Sequence, residues 1–240
     1  MENAQRKPYI VRSVQIDADG VKVFILEPKD GQNIAFKPGQ FVKIYDEKEE
    51  KFRPYSIASN PEETNLEFLI KMVGGEFTTY LDTVAVGTTL YVEGPLGHFK
   101  FKDRDESGTK PSNCGFIAGG TGIAPILSIL GHISKTGIRG DFVFFYSIRT
   151  KADMLQKEKL ARLEREIKNL KIIYTLTRES PEGWKGELGR IDGKMIARNV
   201  YDTANRHWLM CGPLKMVTSL KKELVELGVS EDKVKFEGWG

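Results

Sequence analysis

The stretch Cys114-Gly-Phe-Ile-Ala-Gly-Gly-Thr-Gly-Ile-Ala-Pro125 has the make-up of a phosphate site. Gly115–Ala118 reads as a short buried strand, Gly119, Gly120 and Gly122 as a turn without Cβ atoms, and Ile123 onward as a helix. Such a turn lets the backbone come close to an anion. The helix N-terminus adds free N–H groups and the positive end of its dipole. Pro125 suits the first helical turn, where its missing N–H costs nothing. Taken alone, the cluster serves equally as a left-handed turn between strand and helix.

Other stretches carry complementary groups. Arg53-Pro54-Tyr55-Ser56 lies at a strand start and offers a permanent cation able to bridge a pyrophosphate, a ring to stack on and a hydroxyl donor. An edge strand with an exposed Arg is the plainer reading. Lys71 and then Gly74-Gly75-Glu76-Phe77-Thr78-Thr79 make a second phosphate cradle or, equally, a glycine turn with a threonine N-cap. Gly94-Pro-Leu-Gly-His-Phe99 is by itself only a turn. Cys211-Gly212-Pro213 follows the apolar strand His207–Met210 and precedes a helix. In an open parallel sheet, ligands sit beyond the carboxyl ends of the strands, which puts Cys211 beside the Gly119–Pro125 turn. A buried strand-end Cys is otherwise a small apolar residue.

The elements that must hold these groups fall into two kinds. Up to about residue 100 the pattern is β-rich: Tyr9–Gln15 and Val21–Leu26 flank the hairpin signal Asp19-Gly20, and Phe41–Tyr45, Tyr55–Ala58, Leu66–Met72 and Thr89–Val92 follow. Six short strands predict a small antiparallel β-barrel, with a short helix at Thr78–Thr83. Asp103–Ser112, charged and broken by Gly and Pro, predicts a linker between a domain at 1–104 and another at 112–240. Beyond it, apolar strands at Gly115–Ala118, Asp141–Ser147, Lys171–Thr175 and His207–Met210 alternate with helices at Ile123–Lys135, Ala152–Asn169 and Leu214–Leu227. That alternation predicts an α/β domain with a parallel sheet and helices on both faces.

Composition narrows the classes of function. Of 240 residues, 40% are hydrophobic and 29% charged, a soluble globular balance, and a net charge of +3 is too small to argue for nucleic acid. One basic face would still suit an acidic protein partner. No apolar run reaches membrane-spanning length and the first nine residues lack an apolar core, so the expectation is a cytoplasmic protein without membrane contact. Two cysteines and three scattered histidines predict no metal site.

In order, Arg-x-Tyr-Ser, Lys…Gly-x-x-Thr, Gly-Pro-x-Gly, Gly-Gly-Thr-Gly-x-Ala-Pro, Cys-Gly-Pro and a terminal Glu-x-aromatic resemble the ferredoxin–NADP reductase superfamily, from Tyr9 to the chain end. The resemblance implies an FAD-binding barrel, a nicotinamide dinucleotide domain, and hydride passing between the two rings at their interface. It implies that Arg53 binds the FAD pyrophosphate, Tyr55 stacks on the isoalloxazine and Ser56 bonds near flavin N5, with Pro54 completing the motif. Ile70 and Lys71 fall at the FAD nucleotide portion, Gly75 and Thr78 at its phosphates. Thr121, Gly122 and Pro125, with Gly120, shape the place where the cofactors meet. Cys211, with Gly212 and Pro213, lies beside the nicotinamide C4, and Trp239 covers the isoalloxazine face opposite Tyr55. Glu237 lies near Ser56 and Cys211, able to relay a proton or balance charge. Glu76 departs from the pattern, since an acid there must point outward or weaken FAD retention.

Where the adenosine ribose would lie, Ser147-Ile-Arg149, Arg178 and Arg190 lean toward NADPH over NADH; no acid stands at the Ser147 strand end, and Asp153 follows a few residues on. The expected whole is an NAD(P)H-dependent flavin oxidoreductase, a stand-alone monomer or weak dimer, that passes electrons singly to a small acidic carrier such as ferredoxin or flavodoxin. The alternatives are the reductase component of an oxygenase, a cytochrome b5-type reductase, or, in another class, a non-catalytic cofactor-sensing subunit.

Overall fold

The computed structural model describes residues 6–102 and 113–239. The linker expected at about 103–112, and with it the boundary at 104 and 112, lies outside those residues, as does Gly240.

The first half contains β1 (Lys7–Ala18), β2 (Val21–Pro28), β3 (Phe41–Tyr45), β4 (Phe52–Ser56), β5 (Leu66–Lys71), α1 (Glu76–Thr83) and β6 (Thr89–Leu96). Tyr9 and Val11 of β1 and Phe24 and Leu26 of β2, two apart on each strand, turn inward into one core. The strands are antiparallel in the order β4-β3-β6-β1-β2-β5. Its two ends meet just past β4, where Ala58 N donates to Glu67 O of β5 at 2.8 Å, and the sheet curls into the expected barrel. β4 starts at Phe52 rather than Tyr55, because Phe52 pairs with Tyr45 and packs its ring 4.8 Å away. It ends at Ser56, where the chain leaves β3 for β5. α1 begins earlier than Thr78, with Gly75 as N-cap and Glu76 complementing the dipole in the first turn.

The second half contains β7 (Asn113–Gly119), α2 (Ile123–Thr136), β8 (Asp141–Ile148), α3 (Lys157–Glu166), β9 (Leu170–Leu176), β10 (Glu187–Leu188), α4 (Gly193–Asn199), β11 (His207–Pro213), α5 (Leu214–Glu226) and β12 (Val234–Trp239). The strands are parallel in the order β10-β9-β8-β7-β11-β12. α2 and α3 pack on one face over Phe116, Phe144 and Tyr146. α4 and α5 pack on the other over Phe145, Trp208 and Met210.

Two differences from expectation have local causes. The single helix expected over Ala152–Asn169 is broken: Lys151–Asp153 form a 3-10 turn and Gln156 takes a left-handed φ of 54° before α3. The break is held from outside the segment, since Asp17 of β1 accepts from Gln156 N at 3.0 Å. β10 has two residues and α4 seven, both too short for a periodic pattern; α4 is marked instead by Asp192, which accepts from Met195 N at 2.7 Å.

Val21, Ala58 and Leu69 of the barrel join the core beneath α2, so apolar packing is continuous between the halves. Among the described residues no helix is long and apolar enough to cross a membrane.

Candidate active site

β7 ends at Gly119, and one 3-10 turn, Gly120–Gly122, leads into α2. A Cβ on Gly122 would lie 2.3 Å from Cys211 O and 2.5 Å from Trp239 Cη2, so only glycine admits both neighbours. The register delivers those neighbours: Cys211 pairs with Ala118 on β7 and with Glu237 on β12, and Pro213 with Trp239. Gly212 comes against Gly119, its Cβ position 3.2 Å from Gly119 N. Thr121 is half-buried in the turn, and Pro125 is buried in the first turn of α2. The sheet thus gathers Gly122, Cys211, Glu237 and Trp239 at its carboxyl edge, as parallel connectivity predicts.

From this edge Glu237 crosses to the barrel. Its Oε1 lies 3.6 Å from the Cβ position of Gly97, which the Phe41 ring also closes off at 2.8 Å. Phe41 pairs with Ser56 on one side and Leu96 on the other, so Glu237 arrives at the barrel end that carries Ser56. Burial pushes the Glu237 carboxyl up to about 7. Cys211 is fully buried, and burial, followed by the neighbouring Glu237 charge, holds its thiol well above the usual range. Cys211 is therefore held as the neutral thiol, which lacks the nucleophilicity of a thiolate.

Tyr55 is half-buried with Phe77 stacked 6.4 Å away, and burial pushes its phenol up to about 12 against the opposing Arg53 charge. The β3–β4 ladder stays regular through Ser56, so Tyr55 and Ser56 face opposite ways. The Ser56 hydroxyl makes no hydrogen bond to another described residue. Arg53 is exposed; Nη1 donates to Phe52 O at 2.8 Å, and the guanidinium forms no ion pair with a described residue.

At α1 the first N–H groups have no helical partner, and Thr79 N is the first to close, on Gly75 O at 2.8 Å. Thr78 does not cap them. It is buried, with Oγ1 donating to Gly75 O at 3.0 Å, so its own N–H is what it offers an anion. Glu76 turns outward onto Lys51 Nζ at 2.5 Å, which removes the expected conflict with a pyrophosphate. Lys71 is exposed, whereas the Ile70 side chain is 1% exposed in the barrel core and leaves only main chain for a nucleotide. An unpaired guanidinium, a row of free amides and an unengaged hydroxyl fit the pyrophosphate and ring of FAD.

Ser147 lies near the end of β8, and Arg149, Arg178 and Arg190 follow the neighbouring strands β8, β9 and β10. Arg178 N donates to Arg149 O at 2.9 Å, and all three side chains are exposed without an ion pair to a described residue. The acids nearby are engaged. Asp153 accepts from Thr150 N at 2.9 Å and Thr150 Oγ1 at 2.7 Å, and Glu179 accepts from Lys151 N. Lys151 Nζ lies 5.6 Å above the Trp184 ring, fastening the two loops together.

Sequence reasoning missed Glu179 and Trp184. The Thr150-x-x-Asp153 spacing of a capping box was the signal for Asp153. Gly97, read from the sequence only as part of the Gly94–Phe99 turn, takes a left-handed φ of 92° and is also closed off by the Phe41 ring.

Two family models match, the oxidoreductase FAD-binding domain over residues 10–101 and the oxidoreductase NAD-binding domain over residues 116–222. The chain is 34% identical over 221 residues to the reductase component of propane 2-monooxygenase from Mycolicibacterium goodii, covering 89% of this chain and 62% of that protein. It is also 34% identical over 185 residues to NADH-cytochrome b5 reductase 1 of Pyricularia oryzae, covering 75% and 58%. The chain thus spans about three-fifths of the length of these curated relatives. In fold it superposes on the flavohem-like FAD/NAD-binding domain of nitric oxide dioxygenase from Vibrio cholerae O1 biovar El Tor, with a TM-score of 0.85, 22% identity and 98% of each chain covered.

Proposed function

The chain belongs to the ferredoxin–NADP reductase superfamily, with an FAD-binding and an NAD-binding domain, and from that premise we propose that it oxidises NADPH and delivers the electrons singly to a separate carrier protein. The observation that carries the reading is the approach of Glu237 to Gly97, which brings the carboxyl edge of the parallel sheet onto the barrel end bearing Tyr55 and Ser56. When bound, the flavin supplies an acceptor for a two-electron hydride that can release electrons one at a time.

The chain's own residues bind, orient and exclude water. Arg53 and the free amides after Gly75 hold the FAD phosphates, and Lys71 and the main chain at Ile70 border its nucleotide portion. Tyr55 and Trp239 would supply the aromatic surfaces against which the isoalloxazine stacks. Ser56 donates a hydrogen bond at the ring edge. Thr121, Gly122 and the buried Cys211 form the floor for the nicotinamide, and Pro125 fixes the start of α2. Glu237, titrating near neutrality, holds or gives up a proton beside them. Arg149, Arg178 and Arg190 would supply the cations around the ribose 2′-position. Because Asp153 and Glu179 are engaged with the backbone, a 2′-phosphate is better matched than a 2′-hydroxyl.

The acceptor in this reading is a small acidic carrier, ferredoxin or flavodoxin. A second reading, service to an oxygenase or a cytochrome b5-type acceptor, is favoured by the relatives named above. The test is anaerobic mixing of the FAD-loaded protein with NADPH or NADH, followed by an acceptor screen. Bleaching of the flavin spectrum, faster with NADPH, is expected. A protein that takes up no FAD defeats the reading, and so does a loaded one whose flavin neither nucleotide bleaches.

A further inference from the structure

Helix α2 starts at the Gly120–Gly122 turn, and one of its faces is hydrogen-bonded to a short segment of the barrel. That segment, Ile57–Glu63, continues β4 directly beyond Tyr55 and Ser56. Ser128 Oγ donates to Ser59 O at 2.7 Å, and both residues are fully buried. One turn on, Gly131 faces Asn60: a Cβ at 131 would lie 2.9 Å from Asn60 Nδ2, 3.2 Å from its Cβ and 3.4 Å from its Cγ. His132 Nδ1 lies 2.7 Å from Glu62 Oε1. Positions 128, 131 and 132 share one helix face. Asn60 cannot swing aside freely, because its Oδ1 accepts from Glu62 N at 3.1 Å and its Nδ2 donates to Glu63 Oε1 at 2.6 Å. Glycine is unfavourable inside a helix, and Asn60 is what requires it here.

We propose that this face of α2 is a strut that sets the spacing between the Thr121–Gly122 turn and the Tyr55–Ser56 strand end, with Ser128 and Gly131 as its positioning residues. The inference rests on the reading in the preceding subsection. Six residues of helix separate Gly122 from Ser128, a rise of about 9 Å. Three residues of extended chain separate Ser56 from Ser59, at most about 10 Å. The contact therefore sits one short lever from each group that would hold a ring. The packing around it is close, so a displacement there is transmitted rather than absorbed. Hydride transfer needs the reacting atoms within a few tenths of an ångström of contact geometry, and a shift of about 1 Å costs up to a hundredfold in rate.

The experiment uses the FAD-loaded chain with three variants: Gly131→Ala, Ser128→Ala, and Gly131→Ala combined with Asn60→Gly. Asn60→Gly removes all three atoms the new methyl would meet. Gly131→Ala is expected to slow anaerobic flavin reduction by about ten- to a hundredfold and to weaken the long-wavelength absorbance of nicotinamide stacked on flavin. FAD content should remain at the wild-type value. The double variant should recover most of the rate, and Ser128→Ala should show a smaller loss of the same kind. A second readout needs no nucleotide: amides of Ile57–Glu63 should exchange hydrogen faster in Gly131→Ala than in the wild type. Wild-type reduction rates in Gly131→Ala, a loss that Asn60→Gly does not repair, or unchanged exchange would each overturn the strut. Failure of the wild-type flavin to be reduced at all counts against the proposed function instead, and the exchange comparison then decides the strut by itself.

Discussion

At the amino edge of the parallel sheet Arg206 is 3% exposed and every part of its guanidinium is engaged. Nε donates to Asp202 Oδ1 at 2.7 Å, Nη2 to Asp141 Oδ1 at 2.5 Å, and Nη1 to the carbonyls of Asp141 and Cys114 at 3.0 and 3.4 Å. At the carboxyl edge, Arg149, Arg178 and Arg190 stand exposed with no such partners among the described residues. The cysteines repeat the contrast at equal burial. Cys114 at the amino edge is raised to about 12 by burial and lies under Arg206. Cys211 at the carboxyl edge borders Gly122, Glu237 and Trp239. Residue type therefore does not separate the two edges: the arginines differ in burial and partners, and the equally buried cysteines differ in what surrounds them. In the proposed function the exposed carboxyl-edge arginines are the ones available to a nucleotide, whereas Arg206 is already used up by the chain.

The largest expected effect is at the amino edge. Arg206→Met leaves Asp202, only 10% exposed, without its cation and should cost about 3–5 kcal/mol in denaturant unfolding. The ratio of kcat/KM for NADPH to that for NADH should not move. A loss below about 1 kcal/mol, the scale of an exposed ion pair, would erase the contrast between the edges. At the carboxyl edge the pattern should invert. Arg178→Ala should leave stability within about 0.5 kcal/mol while removing about 1.5–3 kcal/mol of preference for NADPH, tenfold or more. Equal kcat/KM for the two nucleotides, unchanged by Arg149→Ala, would remove the 2′-phosphate argument.

The cysteines sharpen the comparison at smaller amplitude. Cys211→Ala should slow flavin reduction several-fold, about 1 kcal/mol in barrier, with FAD retained. Cys114→Ala should cost about 1 kcal/mol of stability and leave reduction untouched. Loss of flavin from Cys211→Ala during purification would place that thiol on the FAD side instead.

The smallest effect concerns pH. The Glu237 carboxyl titrates near 7 in the folded chain against an ordinary value of 4.5, so the folded state favours its protonated form. The associated stability is complete below about pH 4.5 and is lost as pH rises through 7. Glu237→Gln should match the wild type at low pH, become relatively more stable above pH 7, and flatten the pH dependence of flavin reduction between about 6 and 8. An unchanged pH profile in both assays would show that Glu237 does not titrate in this range.

Much of this protein was legible along the chain, because strand and helix periods and glycine turns are local signals. Alternation marked the barrel strands, the apolar runs marked the parallel sheet, and strand-to-helix order alone put Cys211 beside the Gly119–Pro125 turn. The break at Gln156 depends on Asp17, and the glycine at 131 on Asn60. The engagement of Glu179 depends on an amide 28 residues earlier. Periodicity states which face of an element is buried and is silent on what covers it. Only the packing of distant segments decides which carboxylates are used up, which cations are left unpaired, and how far apart two cofactor sites are held.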